Sequence, residues 1–267
     1  GGVLTMALFV YWQSRIRTEP LVPLSLFRDR NFSLSNIGIA SMGFAISGLM
    51  IPTMFFLQLV GGMSPTQSAV MMVPMAVLTG VLAPIVGRIL DRVHPRAIIS
   101  SALLLNAIAV FLLGILAKPA TPVWQFVIPL CLMGVASAGI WAPLAATATR
   151  NLPWRQAGAG AGVYNTTRMI GSVLGAAMVG ALMQTRLAAE LPGVDTNEHR
   201  DTVAQLPAFI REGFADAMGQ SLFLPAAALL VGVAATVFLV RPKHQTSATD
   251  DVAAFAEGEV EGAGASG

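Results

Sequence analysis

Long apolar runs alternate with short polar segments along most of this chain. Each run is close to the roughly 20 residues that a helix needs to cross the hydrocarbon core of a bilayer. The pattern therefore predicts six transmembrane helices, over residues 32–60, 67–87, 97–117, 123–149, 157–185 and 217–240. The long polar segment between the last two, residues 186–216, is predicted to be an external loop. These elements indicate an all-α integral membrane protein, a six-helix bundle over residues 32–240.

The two ends of the chain differ from this bundle. The apolar stretch at residues 1–12 is too short to span a bilayer, and we expect it to be the end of a preceding transmembrane helix. A cytoplasmic linker follows up to residue 31, in which Pro20 and Pro23 exclude a continuous helix. Residues 241–267 are rich in Ala, Gly and Glu without apolar periodicity, which predicts a disordered cytoplasmic tail. The start lacks both Met and the basic region of a signal peptide, so we interpret the chain as the C-terminal part of a longer protein.

Composition supports the membrane interpretation. Hydrophobic residues make up 55% of the chain and charged residues only 11%, whereas soluble domains carry about 25% charged residues. The single Cys131 excludes an internal disulfide and a cysteine zinc cluster. The three histidines lie outside the predicted spans without a ligand spacing, so we expect no metal site. No phosphate-binding loop of the Gly-x-x-x-x-Gly-Lys-Ser/Thr type is present, and neither ATP drive nor a nucleic-acid partner is expected.

The basic residues predict the orientation. By the positive-inside rule, short loops rich in Lys and Arg lie on the cytoplasmic side. The basic residues of the predicted inner side are Arg15, Arg17, Arg28, Arg30, Arg88, Arg92, Arg96, Arg150, Arg155, Arg241 and Lys243. Only Lys118, Arg186, Arg200 and Arg211 fall outside, three of them in or at the edge of the long loop, where the rule counts least. We expect a multi-pass membrane protein with its C-terminus in the cytoplasm.

Residues 87–96, GRILDRVHPR, form a charged loop between two uncharged runs, so the flanking helices must be antiparallel neighbours. The loop resembles the second copy of the Gly-x-x-x-Asp-Arg loop of the major facilitator superfamily. The resemblance implies a conformational-switch loop made by Gly87, Asp91 and Arg92. His94 and Pro95 depart from the family pattern, which often has glycine and a basic residue there.

A second resemblance lies in residues 157–180, AGAGAGVYNTTRMIGSVLGAAMVG. Asn165, Arg168, Gly171 and Gly175 match in order the penultimate helix of the fourteen-span drug:proton antiporters of that superfamily. The segment PLVPLSLFRDRNF also resembles the linker into the second half of these transporters. The resemblance implies that the chain is the C-terminal half of a major facilitator fold, with two inverted three-helix repeats at residues 32–117 and 123–240.

Arg168 is a charge placed inside an apolar run, where it should face water or a partner. One interpretation puts it at the central cavity, paired with substrate or with an acid from the rest of the transporter. The other is that the helix begins later and Arg168 reaches back to the inner interface. The complete predicted spans hold no Asp or Glu, so we expect the proton-carrying residue in the N-terminal half.

The expected substrate site is a cavity lined by polar and adaptable apolar side chains. The candidate residues are Gln58, Trp141, Asn165, Arg168, Phe44 and Phe55. Packing against neighbouring helices or lipid is the competing interpretation for each of them. No catalytic residues are expected, because nucleophiles, bases and metal ligands do not cluster within the predicted spans.

The resemblance implies a secondary active transporter that couples efflux of drugs or other amphipathic small molecules to the proton gradient, without a bound cofactor. Its expected partners are a small-molecule substrate, the lipid bilayer and the N-terminal half of the same transporter. A specific exporter of a metabolite, lipid or peptide is the alternative within transport, and a non-transporting membrane scaffold subunit is the alternative from another class. Enzymatic activity is the weakest option.

Overall fold

The regular elements of the described structure are helices. The structure is a computed structural model that describes residues 24–90, 93–190 and 208–240. The α-helices within these ranges are α1 (Arg30–Phe55), α2 (Pro65–Val70), α3 (Val73–Leu90), α4 (Pro95–Leu116), α5 (Val127–Ala138), α6 (Trp141–Thr149), α7 (Trp154–Glu190), α8 (Ala208–Ser221) and α9 (Phe223–Thr236). Phe56–Val60 continues α1 as a π-helix, and Leu24–Arg28 and Val123–Phe126 are short 3-10 helices.

Six segments are long and apolar enough to cross a membrane, which confirms the predicted all-α fold with six spans. They are Arg30–Val60, Pro65–Leu90, Pro95–Leu116, Val123–Thr149, Gln156–Glu190 and Ile210–Thr236. The sixth begins earlier than the predicted residue 217, because α8 adds a further helix ahead of α9. The predicted preceding helix, most of the linker, the centre of the external loop and the C-terminal tail lie outside the described residues.

Local side-chain chemistry explains where several helices begin. Asp29 caps α1, its Oδ1 accepting a hydrogen bond from Phe32 N at 2.7 Å. At α2, Ser64 and Gln67 form a capping box in which each side chain accepts from the other residue's backbone N–H. Such caps satisfy amide groups that the first turn of a helix leaves without an intrahelical acceptor.

Four of the spans are interrupted within their length. Pro52 lies inside α1 just before the π-helical segment. Gly139 and Ile140 separate α5 from α6 within the span predicted at 123–149. Shorter breaks separate α2 from α3 and α8 from α9. Proline and π-segments are common causes of such departures from a straight helix.

The helices pack in one order across the bundle. Neighbouring pairs are α7 with α1, α1 with α9, α9 with α4, α4 with α5, and α5 with α3, and α6 also packs against α1. In terms of spans the order is fifth, first, sixth, third, fourth, second. The second and third spans, which the short loop at residues 87–96 predicted to be neighbours, are therefore separated by the fourth span in the described part of the chain. Exchanging the first three spans with the last three reverses this order and keeps these pairings between spans, as expected for two repeats with inverted topology. The packing of α7 against α8 has no counterpart of similar extent between the second and third spans.

Helices α1 and α7 approach each other through glycines. A Cβ atom at Gly171 would collide with the carbonyl oxygen of Ala40, and one at Gly175 with that of Phe44. On the α1 side, a Cβ atom at Gly43 would collide with the carbonyl oxygen of Arg168. The carbonyl of Gly43 accepts a hydrogen bond from Ser172 Oγ at 3.3 Å. Small residues at such positions let two backbones pack in van der Waals contact, which is a main source of helix association in membranes.

Helix α3 and one side of α7 are left uncovered by the described residues. No residue of α3 is buried in the described structure. The exposed large apolar residues of α3 are Val73, Val77, Val81, Ile85 and Ile89. Those near the middle of α7 are Met169, Ile170, Val173, Leu174 and Met178. Both apolar faces can be covered by lipid or by further protein.

Candidate functional site

Arg168 lies well inside the fifth span. Because α7 begins at Trp154, Arg168 stands about 21 Å from the start of the helix at 1.5 Å per residue. The interpretation in which the helix begins later does not describe this structure. Its backbone carbonyl faces Gly43 of α1, so Arg168 lies at the α1–α7 contact.

The guanidinium of Arg168 lies against Trp141. Its Cζ is 5.8 Å from the centroid of the Trp141 ring, which is within the range of a cation–π contact. Trp141 is half-buried and opens α6, directly after the break in the fourth span. Two predicted site residues from different spans thus meet in one place, although no pattern in the sequence indicated the pairing.

Tyr164 belongs to the same place and was missed from the sequence. It lies one helical turn before Arg168 and is 7% exposed. Neither its hydroxyl nor Arg168 Nε has a hydrogen-bond partner among the described residues. The i, i+4 spacing of a tyrosine and an arginine inside an apolar run was the available signal, because residues so spaced share one helix face.

The other predicted residues are distributed differently. Asn165 is exposed on α7, and Phe44 is half-buried on α1 with its carbonyl facing Gly175. Phe55 and Gln58 are half-buried but lie about 18 Å or more beyond Gly43 along the axis of α1. The structure therefore brings Trp141 and Arg168 together, with Phe44 and Asn165 on the adjoining helix surfaces, and leaves Phe55 and Gln58 nearer the end of the first span.

Gln58 occupies the π-helical segment Phe56–Val60. A π-segment shifts the register of the residues beyond it and is frequent at functional sites. The segment follows Pro52, which removes one backbone donor from the preceding turn. Gln58 is thus presented from an irregular part of the helix, which periodicity in the sequence did not indicate.

A separate group of hydrogen bonds, called here the polar junction, joins the ends of several spans. Asn31 exchanges two hydrogen bonds with the backbone of Val240, both 2.9 Å long. Asn151, between α6 and α7, donates its Nδ2 to Asp29 Oδ2 at 3.2 Å. The junction joins the start of α1 to the segment after α9 and to the α6–α7 connection. Asp29 was recognisable as a capping residue ahead of an apolar run, whereas its contact with Asn151 was not.

Comparison with known proteins decides the family. The family model of the Major Facilitator Superfamily matches residues 3–176, more than half of the chain. The chain belongs to the Major Facilitator Superfamily. An uncharacterized MFS-type transporter of Mycobacterium tuberculosis is 50% identical over 245 residues, which are 90% of this chain and 42% of that protein.

Two further relatives carry functional names. The Multidrug resistance protein Stp of Mycobacterium tuberculosis is 30% identical over 185 residues, 69% of this chain and 34% of its own length. The Tetracenomycin C resistance and export protein of Streptomyces glaucescens is 31% identical over 196 residues, 72% of this chain and 35% of its own length. The chain spans less than half the length of each of these three relatives.

The predicted switch loop of this Major Facilitator Superfamily chain is only partly described. Gly87 is half-buried near the end of α3, and a Cβ atom there would meet nothing within 4 Å among the described residues. Gly87 therefore makes no close contact with another helix in the described part of the chain, where α3 packs mainly against α5. Asp91 and Arg92 lie outside the described residues, and the switch role of the loop stays a prediction.

Metal-binding chemistry finds no support in the part of the chain that the structure covers. No group of three or more His, Cys, Asp or Glu side chains among the described residues could hold a metal ion. The relatives are superfamily transporters, which are generally not enzymes. What the Trp141–Arg168 region can do chemically is bind a polar or charged group within an apolar bundle.

Proposed function

We propose that the complete protein is a proton-coupled exporter of drugs or other amphipathic small molecules, of which this chain forms the C-terminal half. The observation that carries the proposal is the match of the six-span bundle to relatives named for multidrug resistance and for antibiotic export. The chain spans about a third of the length of those two proteins, which supports a contribution of part of the transport path.

The uncovered faces of α3 and α7 support the assignment to one half of a transporter. They belong to the second and fifth spans, which stand at the two ends of the packing order. In the proposed assembly these faces meet the N-terminal half of the same transporter. The remaining exposed apolar surface faces lipid.

The proposed substrate path runs beside α1, α6 and α7. Arg168, Trp141, Asn165 and Phe44 supply a charge, an aromatic face, an amide and an apolar wall along these helices. Phe55 and Gln58 would contact substrate at a later point along the first span. Transport then proceeds by rocking of the two halves about this region, with Gly87, Asp91 and Arg92 acting in the loop that controls the movement.

Proton coupling requires a titratable group that reaches both sides of the membrane in turn. Of the acidic residues that the structure describes, Asp29 caps α1 and Glu190 ends α7. Glu212 and Asp216 lie within the first seven residues of the sixth span, Ile210–Thr236. We therefore propose that the proton carrier belongs to the N-terminal half. The proposed location is the bacterial cytoplasmic membrane, with the basic loops and the C-terminus on the inner side.

The test is efflux of ethidium from cells that express the complete gene, measured with and without a protonophore. We expect expression to speed efflux and the protonophore to abolish the gain. Efflux that persists when the proton gradient is collapsed would reject proton coupling, and expression without any gain would reject the drug assignment.

A narrower substrate range is a second candidate. The relative from Streptomyces glaucescens is named for the resistance to and export of a single antibiotic. An exporter of that kind should move one compound class and leave ethidium efflux unchanged. Competition among chemically unrelated compounds for the same transporter distinguishes the two, because a drug exporter shows mutual inhibition.

A further inference from the structure

Two buried hydrogen-bond donors of α7, one helical turn apart, lack acceptors among the described residues. Tyr164 is 7% exposed, and its hydroxyl forms no hydrogen bond with a described residue. Arg168 Nε is buried and equally lacks a hydrogen-bond acceptor in the described ranges. The two side chains stand one turn apart on the same helix, so they lie on the same helix face and can contact one ligand group.

Two buried donors without acceptors are unfavourable unless another group supplies the acceptor. A buried donor without an acceptor loses its hydration and gains nothing in exchange, and the loss is larger for a charged group. The indole of Trp141 stabilises the positive charge of Arg168 through its face but accepts no conventional hydrogen bond. An acceptor from outside the described residues is therefore expected.

The chemistry of the two donors indicates what that acceptor is. A guanidinium is a donor-only cation whose planar fork matches the two oxygens of a carboxylate. A tyrosine hydroxyl adds a neutral donor, and the face of Trp141 limits the approach to one side. We propose that Arg168 and Tyr164 bind a carboxylate, held beside the Trp141 ring within the bundle.

The carboxylate can come from two sources. One is an acidic group on an amphipathic substrate, in which case this site selects anionic compounds. The other is an Asp or Glu of the N-terminal half, which would make the same contact across the interface between the halves. Both readings rest on the proposal that the chain is one half of a transporter with its substrate path beside α7.

Equilibrium binding to the purified complete transporter tests the site without requiring proton coupling. The probes are dansyl-phenylalanine and its carboxamide, which differ only in the carboxylate. The variants are Arg168→Gln and Tyr164→Phe. Thr185→Val is the control, because it also removes a hydroxyl from α7, but at an exposed position whose hydroxyl bonds to Leu182 O.

If the substrate supplies the carboxylate, the wild-type protein binds the acid about tenfold more tightly than the amide, as expected for a charge-assisted hydrogen bond. Arg168→Gln abolishes this preference, Tyr164→Phe reduces it severalfold, and Thr185→Val leaves it unchanged. Should Arg168→Gln fail to fold, Arg168→Lys replaces it and is expected to weaken the preference, since it keeps the charge without the fork.

If the protein supplies the carboxylate, the wild type shows no preference between the probes, and Tyr164→Phe lowers the thermal unfolding temperature without ligand. A hydroxyl with no partner would give the opposite result, because its removal relieves a buried unsatisfied group. The proposal is overturned if the wild type binds both probes equally and the Tyr164→Phe variant unfolds at the same temperature as the wild type or at a higher one. Retention of the acid preference in Arg168→Gln overturns it equally. Failure of the efflux test with success here would leave the carboxylate site standing and reject only proton-driven drug export.

Discussion

The side chain of Asn31 and the backbone of Val240 are joined by a reciprocal pair of hydrogen bonds. Asn31 Nδ2 donates to Val240 O, and Asn31 Oδ1 accepts from Val240 N, each at 2.9 Å. The two residues are 209 positions apart in the chain. Asn31 is buried at the start of α1 and Val240 follows α9, so the pair fastens the first span to the last at one end of the bundle.

Replacement of Asn31 by alanine should destabilise the complete transporter by about 2 kcal/mol, because two hydrogen bonds of about 1 kcal/mol each are lost. Thermal unfolding in detergent measures the effect. Gln184→Ala serves as the control, since Gln184 is an exposed amide on α7. Equal unfolding temperatures for the two variants would show that the Asn31–Val240 pair does not stabilise the protein.

Asp29 should tolerate asparagine much better than alanine. Asp29→Ala removes the cap on Phe32 N and the acceptor of Asn151 Nδ2, with an expected loss of about 1–2 kcal/mol. Asn keeps a side-chain oxygen that can cap the helix, so Asp29→Asn should lose less than half of that. Urea or thermal unfolding of both variants measures the difference. A result in which Asn is as damaging as Ala would mean that the negative charge matters more than the cap.

Gly175 and Gly180 should respond in opposite directions to the same substitution. A Cβ atom at Gly175 collides with the carbonyl of Phe44, so Gly175→Ala should force α1 and α7 apart at a cost of about 1–3 kcal/mol. At Gly180 the added methyl group meets nothing within 4 Å among the described residues, and the higher helix propensity of alanine should be neutral or slightly stabilising. Unfolding temperatures of the two variants test this, and similar values would contradict the close approach.

A cysteine at position 165 should be labelled from the aqueous phase. Asn165 is exposed on α7, whereas Val179 on the same helix is 1% exposed and packs against Gly48. In a cysteine-free background of the complete transporter, with Cys131 replaced by serine, Asn165→Cys should react with a membrane-impermeant maleimide. Val179→Cys is the control and should not react. Protection of both positions would favour a scaffold without a water-filled path over a transporter.

The extent of each span could be read from the sequence, but the contacts between spans could not. A run of about 20 apolar residues predicts a span because every backbone hydrogen bond must be made within the segment. That requirement is local, and the runs at 97–117 and 123–149 accordingly differ little from Pro95–Leu116 and Val123–Thr149. The sixth span begins at Ile210, before the predicted residue 217. The hydropathy pattern missed this start because α8 mixes buried apolar residues with Arg211, Glu212 and Asp216.

The glycines of α7 show the limit of pattern alone. Gly158 and Gly162 have the same spacing of four residues as Gly171 and Gly175, a spacing that can let helix backbones approach closely. Only Gly171 and Gly175 lie against α1, while Cβ atoms at Gly158 and Gly162 would meet open space among the described residues. The glycine spacing makes a close helix contact possible, and the position of the neighbouring helix decides whether that contact is formed.

The sequence by itself determined that the chain is a bundle of six membrane-spanning helices, because hydrocarbon solvent imposes length and apolarity on each segment independently. The tertiary structure alone decided that Trp141 meets Arg168, that Tyr164 is buried beside them and that Asn31 holds Val240. In a soluble protein an apolar stripe marks the buried face of a helix, but here lipid-facing and protein-facing sides are equally apolar. Hydropathy therefore does not identify which helix faces are in contact, and only the three-dimensional packing shows this.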